Sequence, residues 1–66
     1  MSRYVEQLDD GRFVIASWVS RAGAWHDVTL AIPTERTAVT LERLVEAGAQ
    51  VYATREDAER VARELP

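Results

Sequence analysis

The stretch RYVEQLDDGRFVIASWVS, residues 3–20, decides the fold of this chain. Residues 3–8 and 12–20 read as strands. Between them Asp10-Gly11 is the kind of pair that a two-residue type I′ hairpin turn favours, because both central positions of that turn need positive φ. Centring the turn there sets Asp9 opposite Arg12, Leu8 opposite Phe13, Glu6 opposite Ile15 and Tyr4 opposite Ser17. A third strand, about 25–32, follows the short connection 21–24. With Ala22-Gly23 as its turn, Val19 faces His26, Ser17 faces Val28, Ile15 faces Leu30 and Phe13 faces Ile32. The two registers place Tyr4, Leu8, Phe13, Ile15, Val19, Val28, Leu30 and Ile32 on one face of a three-stranded antiparallel meander. The other face carries Val5, Gln7, Val14, Ala16, Trp18, Asp27, Thr29 and Ala31, too polar for a core and too apolar for an ordinary solvated face.

Beyond the meander, Pro33 stops the third strand. Residues 37–41 are β-branched enough to be extended, but Leu41, Leu44 and Val45 have helical spacing. Thr34 and Thr40 are both candidate N-caps and Gly48 is a candidate C′ residue. A helix near 35–47 is the favoured reading. A short extended segment, 50–53, leads into a C-terminal helix, 55–65, capped by Thr54 with Asp57 at N3. Its apolar stripe is Ala58, Val61, Ala62 and Leu65, and Glu56–Arg60 and Glu59–Arg63 are acid-first i,i+4 pairs. Packed on the sheet, this helix completes a single α+β domain over residues 1–66.

Composition bounds what such a domain can do. At 66 residues it sits near the size where a lone core only just outweighs chain entropy. Cysteine is absent, which removes disulfides, thiolate metal sites and a cysteine nucleophile. Every basic residue is arginine, a usage that fits a GC-rich genome, and the net charge of -3 opposes sequence-independent nucleic-acid binding. No apolar run approaches membrane-spanning length and no secretory leader is visible, so a cytoplasmic location without membrane association is expected.

A catalytic or metal site has little support. His26 is the lone histidine, and Asp27 beside it points to the opposite face of a strand. Ser17 and Ser20 lack a nucleophile elbow, no glycine-rich phosphate loop follows a strand, and no carboxylate spacing matches a zinc or calcium set. The expectation is no enzyme, no cofactor and no metal. What remains is surface. Trp18 lies on the second sheet face and Trp25 begins the third strand, and tryptophan is enriched among residues that dominate protein interfaces. Trp18 is either core under a second helix or an interface anchor. The candidate partner-binding residues are Trp18 and Trp25 as anchors, with Glu6, Asp9, Asp10 and Asp27 as charged contacts. A homodimer through the second sheet face is a further expectation.

The segment Tyr52-Ala53-Thr54-Arg55-Glu56-Asp57-Ala58-Glu59, following a meander, resembles the strand-to-helix boundary of small AP2-like and integrase arm-type DNA-binding domains. The resemblance implies a small DNA-binding regulator, yet such domains read DNA with basic sheet residues. Here the corresponding face offers Gln7, Trp18, Asp27 and Thr29, with Arg12 and Arg3 nearby, so no contact residue carries over. In size and character the acidic, cysteine-free chain is similar to phage-encoded inhibitors of bacterial defence, the anti-CRISPR type. That likeness implies a non-enzymatic module that blocks a host protein or nucleoprotein complex through an acidic and aromatic surface, acting in the host cytoplasm. An uncharacterised bacterial interaction domain is the remaining alternative.

Overall fold

The computed structural model describes residues 3–29 and 37–65, so the expectations resting on Leu30, Ala31, Ile32, Pro33, Thr34 and the start of the first helix at 35 lie outside the described residues. The elements are β1 (Tyr4–Gln7), β2 (Phe13–Val19), β3 (Ala24–Asp27), β4 (Thr37–Ala38), α1 (Leu41–Glu46), β5 (Val51–Tyr52) and α2 (Arg55–Glu64). This is the expected α+β architecture, with one antiparallel sheet and the C-terminal helix packed on it. Among the described residues the sheet has five strands, in the order β1-β2-β3-β4 with β5 also on β2.

The first hairpin forms where expected but with a different turn. Gly11 has φ 94 while no residue other than glycine has positive φ among the described residues, Asp10 included, so the type I′ turn at Asp10-Gly11 does not form. Instead Leu8 N–H donates to Arg12 O (2.7 Å) and Gly11 N–H to Leu8 O (3.0 Å), which closes a three-residue loop, Asp9-Asp10-Gly11. The extra loop residue slips the register by one, pairing Tyr4 with Ala16, Val5 with Ile15, Glu6 with Val14 and Gln7 with Phe13. Because side chains alternate, the slip turns β1 over. Val5 joins the Phe13 and Ile15 face, while Tyr4, Glu6 and Leu8 move to the face of Val14 and Ala16.

The second hairpin is corrected by two residues. Val19 pairs with Ala24, Trp18 with Trp25, Ser17 with His26 and Ala16 with Asp27. The loop is therefore 20–23 rather than Ala22-Gly23 alone, with Ala22 N–H donating to Val19 O (3.1 Å) and Gly23 N–H to Ser20 O (3.2 Å). An even slip preserves faces, so Val28 still packs in the Phe13 and Ile15 cluster. Ser17 now faces His26 instead of Val28.

The third strand ends at Asp27 rather than near 32, because the next places along β2 are taken. Phe13 pairs with Tyr52 and Val14 with Val51. Gln7 and Glu6 already occupy the β1 edge there, so β5 must continue the line of β3 on the other edge. Asp27 turns the chain away: its carboxylate is 1% exposed and accepts the Thr29 backbone N–H (2.9 Å) and hydroxyl. On this edge Phe13 is paired with Tyr52, and the expected partners Leu30 and Ile32 lie outside the described residues.

The region 37–47 divides between the two readings. Thr37 and Ala38 pair with His26 and Trp25 as an edge strand, and the helix begins only at Leu41. Thr40 is its N-cap, accepting the Arg43 N–H (3.2 Å). At the other end Gly48 has φ 106, with Gly48 N–H to Val45 O (2.9 Å) and Ala49 N–H to Leu44 O (3.2 Å), a Schellman motif whose apolar contact is Leu44 against Ala49. In α2, Thr54 accepts the Asp57 N–H (3.1 Å) and the stripe Ala58, Val61, Ala62 and Leu65 packs as predicted. Arg60 bridges to Asp57 at i,i+3 (3.3 Å), one turn position from the expected Glu56.

The helices lie on opposite faces. Val14 and Ile15 are consecutive in β2 and both fully buried, so each face of that strand is covered. One core joins Leu8, Val14, Ala16, Leu44 and Ala49 under α1. The other joins Phe13, Ile15 and Ala58 under α2, with Val5, Tyr52 and Val61 around them. Coverage is diagonal: α1 packs against β3 and β4, while α2 packs against β1, β2 and β5.

Candidate functional site

On the α1 face, the large hydrophobic side chains left exposed in strands among the described residues are those at the Tyr4 and Trp18 end, beyond the Leu8, Val14 and Ala16 core under α1. Tyr4 and Trp18 share this face through the observed register, at 50% and 47% exposed. Trp18 is held in place by Trp25, its direct cross-strand partner. Their ring centroids are 5.3 Å apart and the planes meet at 68°, an edge-to-face pair. Trp25 packs against the core under α1, so one ring anchors the pair and the other is presented to solvent. Large aromatic area that is exposed and rotationally fixed binds a partner at low entropic cost.

Glu6 lies on the same face, half-buried opposite Val14. It is the one predicted charged contact that the fold places beside the aromatics. Asp9 and Asp10 sit in the first hairpin loop, at the start of β2, whereas Trp18 is near its end. Six residues of strand separate Trp18 from the loop's flank at Arg12, about 20 Å at 3.3 Å per residue. The acidic and aromatic features are therefore two patches and not one surface.

The acidic patch has its own structure. The Asp9 N–H donates to Glu42 Oε2 (3.2 Å), tying the loop to the first turn of α1. Between them runs a groove of about 270 Å³ with Leu8 and Val45 inside and Asp9, Asp10, Glu42 and Glu46 around it. Asp10 accepts the Arg12 N–H (2.9 Å) and its Nε–H (2.7 Å), and these bonds hold the Asp10 carboxyl below its ordinary range. Part of the local negative charge is thus already matched by Arg12.

Asp27 does not belong to either patch. It is buried, shapes the turn out of β3, and its charge joins burial in raising the Tyr52 phenol. A buried carboxylate committed to local hydrogen bonds is unsuited to contact a partner. Tyr4, in contrast, is the exposed aromatic that sequence reasoning assigned to the core. The signal that would have found it is the loop: reading Asp9-Asp10-Gly11 as a three-residue turn with one left-handed glycine turns Tyr4 outward.

Five of the described arginines have partners within the fold. Arg12, Arg43 and Arg60 each bridge to a carboxylate, Arg55 lies over the Phe13 ring at 5.0 Å, and Arg3 donates to Leu65 O (3.2 Å). No group of three or more histidine and carboxylate side chains is placed to hold a metal among the described residues, and no helix there is long and apolar enough to cross a membrane. No protein-family model, curated protein or solved structure matches the chain.

Proposed function

We propose that this protein is a non-enzymatic protein-binding module whose contact surface is the Tyr4–Trp18 patch. The observation that carries the reading is the half-exposed Trp18 ring fixed edge-on by a half-buried Trp25 on the α1 face of the sheet, beyond the core under α1. Its most concrete form is a phage-encoded inhibitor that blocks a host defence nucleoprotein complex, a form supported by the small size, the net negative charge and the absence of a catalytic constellation. The acidic groove at the far end of the sheet adds a second, charged contact that would steer the module toward a basic surface.

The test separates binding from folding. Trp18→Ala removes the exposed ring and the edge-to-face contact, and should cost only about 1–2 kcal/mol in thermal melting. The same variant should lose partners that the wild-type protein retains in affinity capture from a bacterial lysate, with Glu56→Ala, exposed on α2, as the control. A stability loss of about 3–5 kcal/mol would make Trp18 a core residue and overturn the reading.

A further inference from the structure

The first hairpin loop and α1 form the two walls of the groove of about 270 Å³. Its lining is mainly apolar, from Leu8 on the hairpin side and the half-buried Val45 on the helix side. The walls are fixed to each other: Leu8 and Val45 belong to one core, and the Asp9 N–H donates to Glu42 Oε2 across the gap (3.2 Å). A groove that is already shaped asks for no ordering when it is filled. Its volume lies just below the range of roughly 300–1,000 Å³ that holds a drug-sized molecule, and far above the ~15 Å³ that one water needs. One long side chain is an occupant of the right size.

The charges on the rim choose which side chain. Four carboxylates stand there, those of Asp9, Asp10, Glu42 and Glu46, in a chain whose net charge is -3. Two arginines lie close by, and each is committed to one carboxylate. Arg12 holds Asp10 through Nε (2.7 Å) and Nη2 (2.7 Å), and Arg43 holds Glu46 through Nη1 (3.3 Å). The exposed carboxylates of Asp9 and Glu42 have no cation among the described residues. Two unmatched negative groups beside apolar walls complement a cation carried on an aliphatic stem, whose methylenes lie on the walls while the head meets the carboxylates. Arginine suits this better than lysine. Its planar guanidinium has five donors, enough for two carboxylates at once, and it is more weakly hydrated than an ammonium.

We propose that this groove receives an arginine side chain of a partner protein, its stem on Leu8 and Val45 and its guanidinium shared by Asp9 and Glu42. The inference names the chemistry that the acidic contact recognises, and it rests on the reading of the chain as a protein-binding module. The test is an NMR titration of the full chain with three blocked tripeptides: acetyl-Gly-Arg-Gly-amide, its lysine counterpart, and its citrulline counterpart, which keeps the length of arginine without the charge. The arginine peptide should give saturable shifts centred on the amides of residues 8–10 and 42–46, with binding about threefold weaker for lysine and about tenfold weaker for citrulline. Glu42→Gln keeps an acceptor for the Asp9 N–H while removing the charge. That variant and Asp9→Asn should each weaken the arginine peptide about threefold, and the double variant about tenfold. Glu56→Ala, exposed on α2, should leave binding unchanged. No saturable shift, equal binding of the lysine or citrulline peptide, affinity unchanged in the double variant, or shifts spread evenly over the acidic residues of α2 would each overturn the proposal. Trp18→Ala should leave peptide binding as it is, so this titration and the capture experiment on the aromatic patch fail separately.

Discussion

The two faces of the sheet are covered in different ways. On one, the ten-residue α2 lays a continuous stripe, Ala58, Val61, Ala62 and Leu65, along Phe13 and Ile15. On the other, the six-residue α1 buries Leu44 fully, packs Leu41 and Val45 partly buried beside it, and is finished by its glycine cap. A long amphipathic helix shares its anchoring among several residues and closes its face. A short one buries its largest side chain, here Leu44, over a smaller part of the face and leaves a margin, and Trp18 stands in that margin.

The contrast breaks most visibly at the point of anchoring. Leu44→Ala should cost about 3 kcal/mol, a large share of the stability of so small a domain, whereas Val61→Ala in the shared stripe should cost about 1 kcal/mol. Thermal or urea melting of the two variants checks this, and equal losses would mean that the helices are anchored alike. Hydrogen exchange should likewise release the α1 amides before those of α2.

Gly48→Ala comes next. With φ at 106 the alanine would hold a conformation that L-residues avoid, at a cost of about 1–2 kcal/mol that should fall on α1 and spare α2. A melting temperature unchanged by this substitution would show that α1 does not depend on its cap.

The smallest effect concerns the acidic loop. The Asp10 carboxyl is held below its ordinary value first by the Arg12 N–H and then by the Arg12 side chain, so ionised Asp10 stabilises the hairpin at neutral pH. The group's folded value lies below its unfolded one. Its contribution is therefore complete above the ordinary aspartate value of about 3.9 and is lost as pH falls through the lower folded value. Comparing the wild-type protein with Asp10→Asn across pH 2–7 should show a small difference at neutral pH that vanishes in acid. A difference independent of pH would place the effect in the loop geometry instead.

What was legible in the sequence was what local pattern controls. The α2 stripe, its Thr54 cap and the position of the first hairpin depend on residues close together in the chain, and all three are found. The start of α1 was misplaced because Thr37-Ala38-Val39 satisfies a strand as well as a helix, and the free edge of β3 decided for the strand. The end of β3 was misplaced because the competing pairing, Val51 and Tyr52 against β2, lies far along the chain and leaves no local mark. The first register turned on whether Asp10 or only Gly11 adopts positive φ, a choice of one dihedral that inverted all of β1. Of the candidate contacts, Trp18 and Trp25 are brought together by the pairing of β2 with β3. Asp9 and Asp10 are separated from them by the length of β2, and Asp27 is withdrawn into the fold.

The sharing of one β2 edge between β3 and β5 also sets an order of assembly. As the chain leaves the ribosome, the first hairpin and β3 can form early, but Phe13 and Val14 keep an unsatisfied backbone edge until residues 51 and 52 emerge. The apolar beginning of β2 is thus the last part of the sheet to be sealed. A chain shortened before Val51 would carry that exposed edge permanently, and its characteristic fate would be strand-to-strand aggregation rather than a smaller native fold.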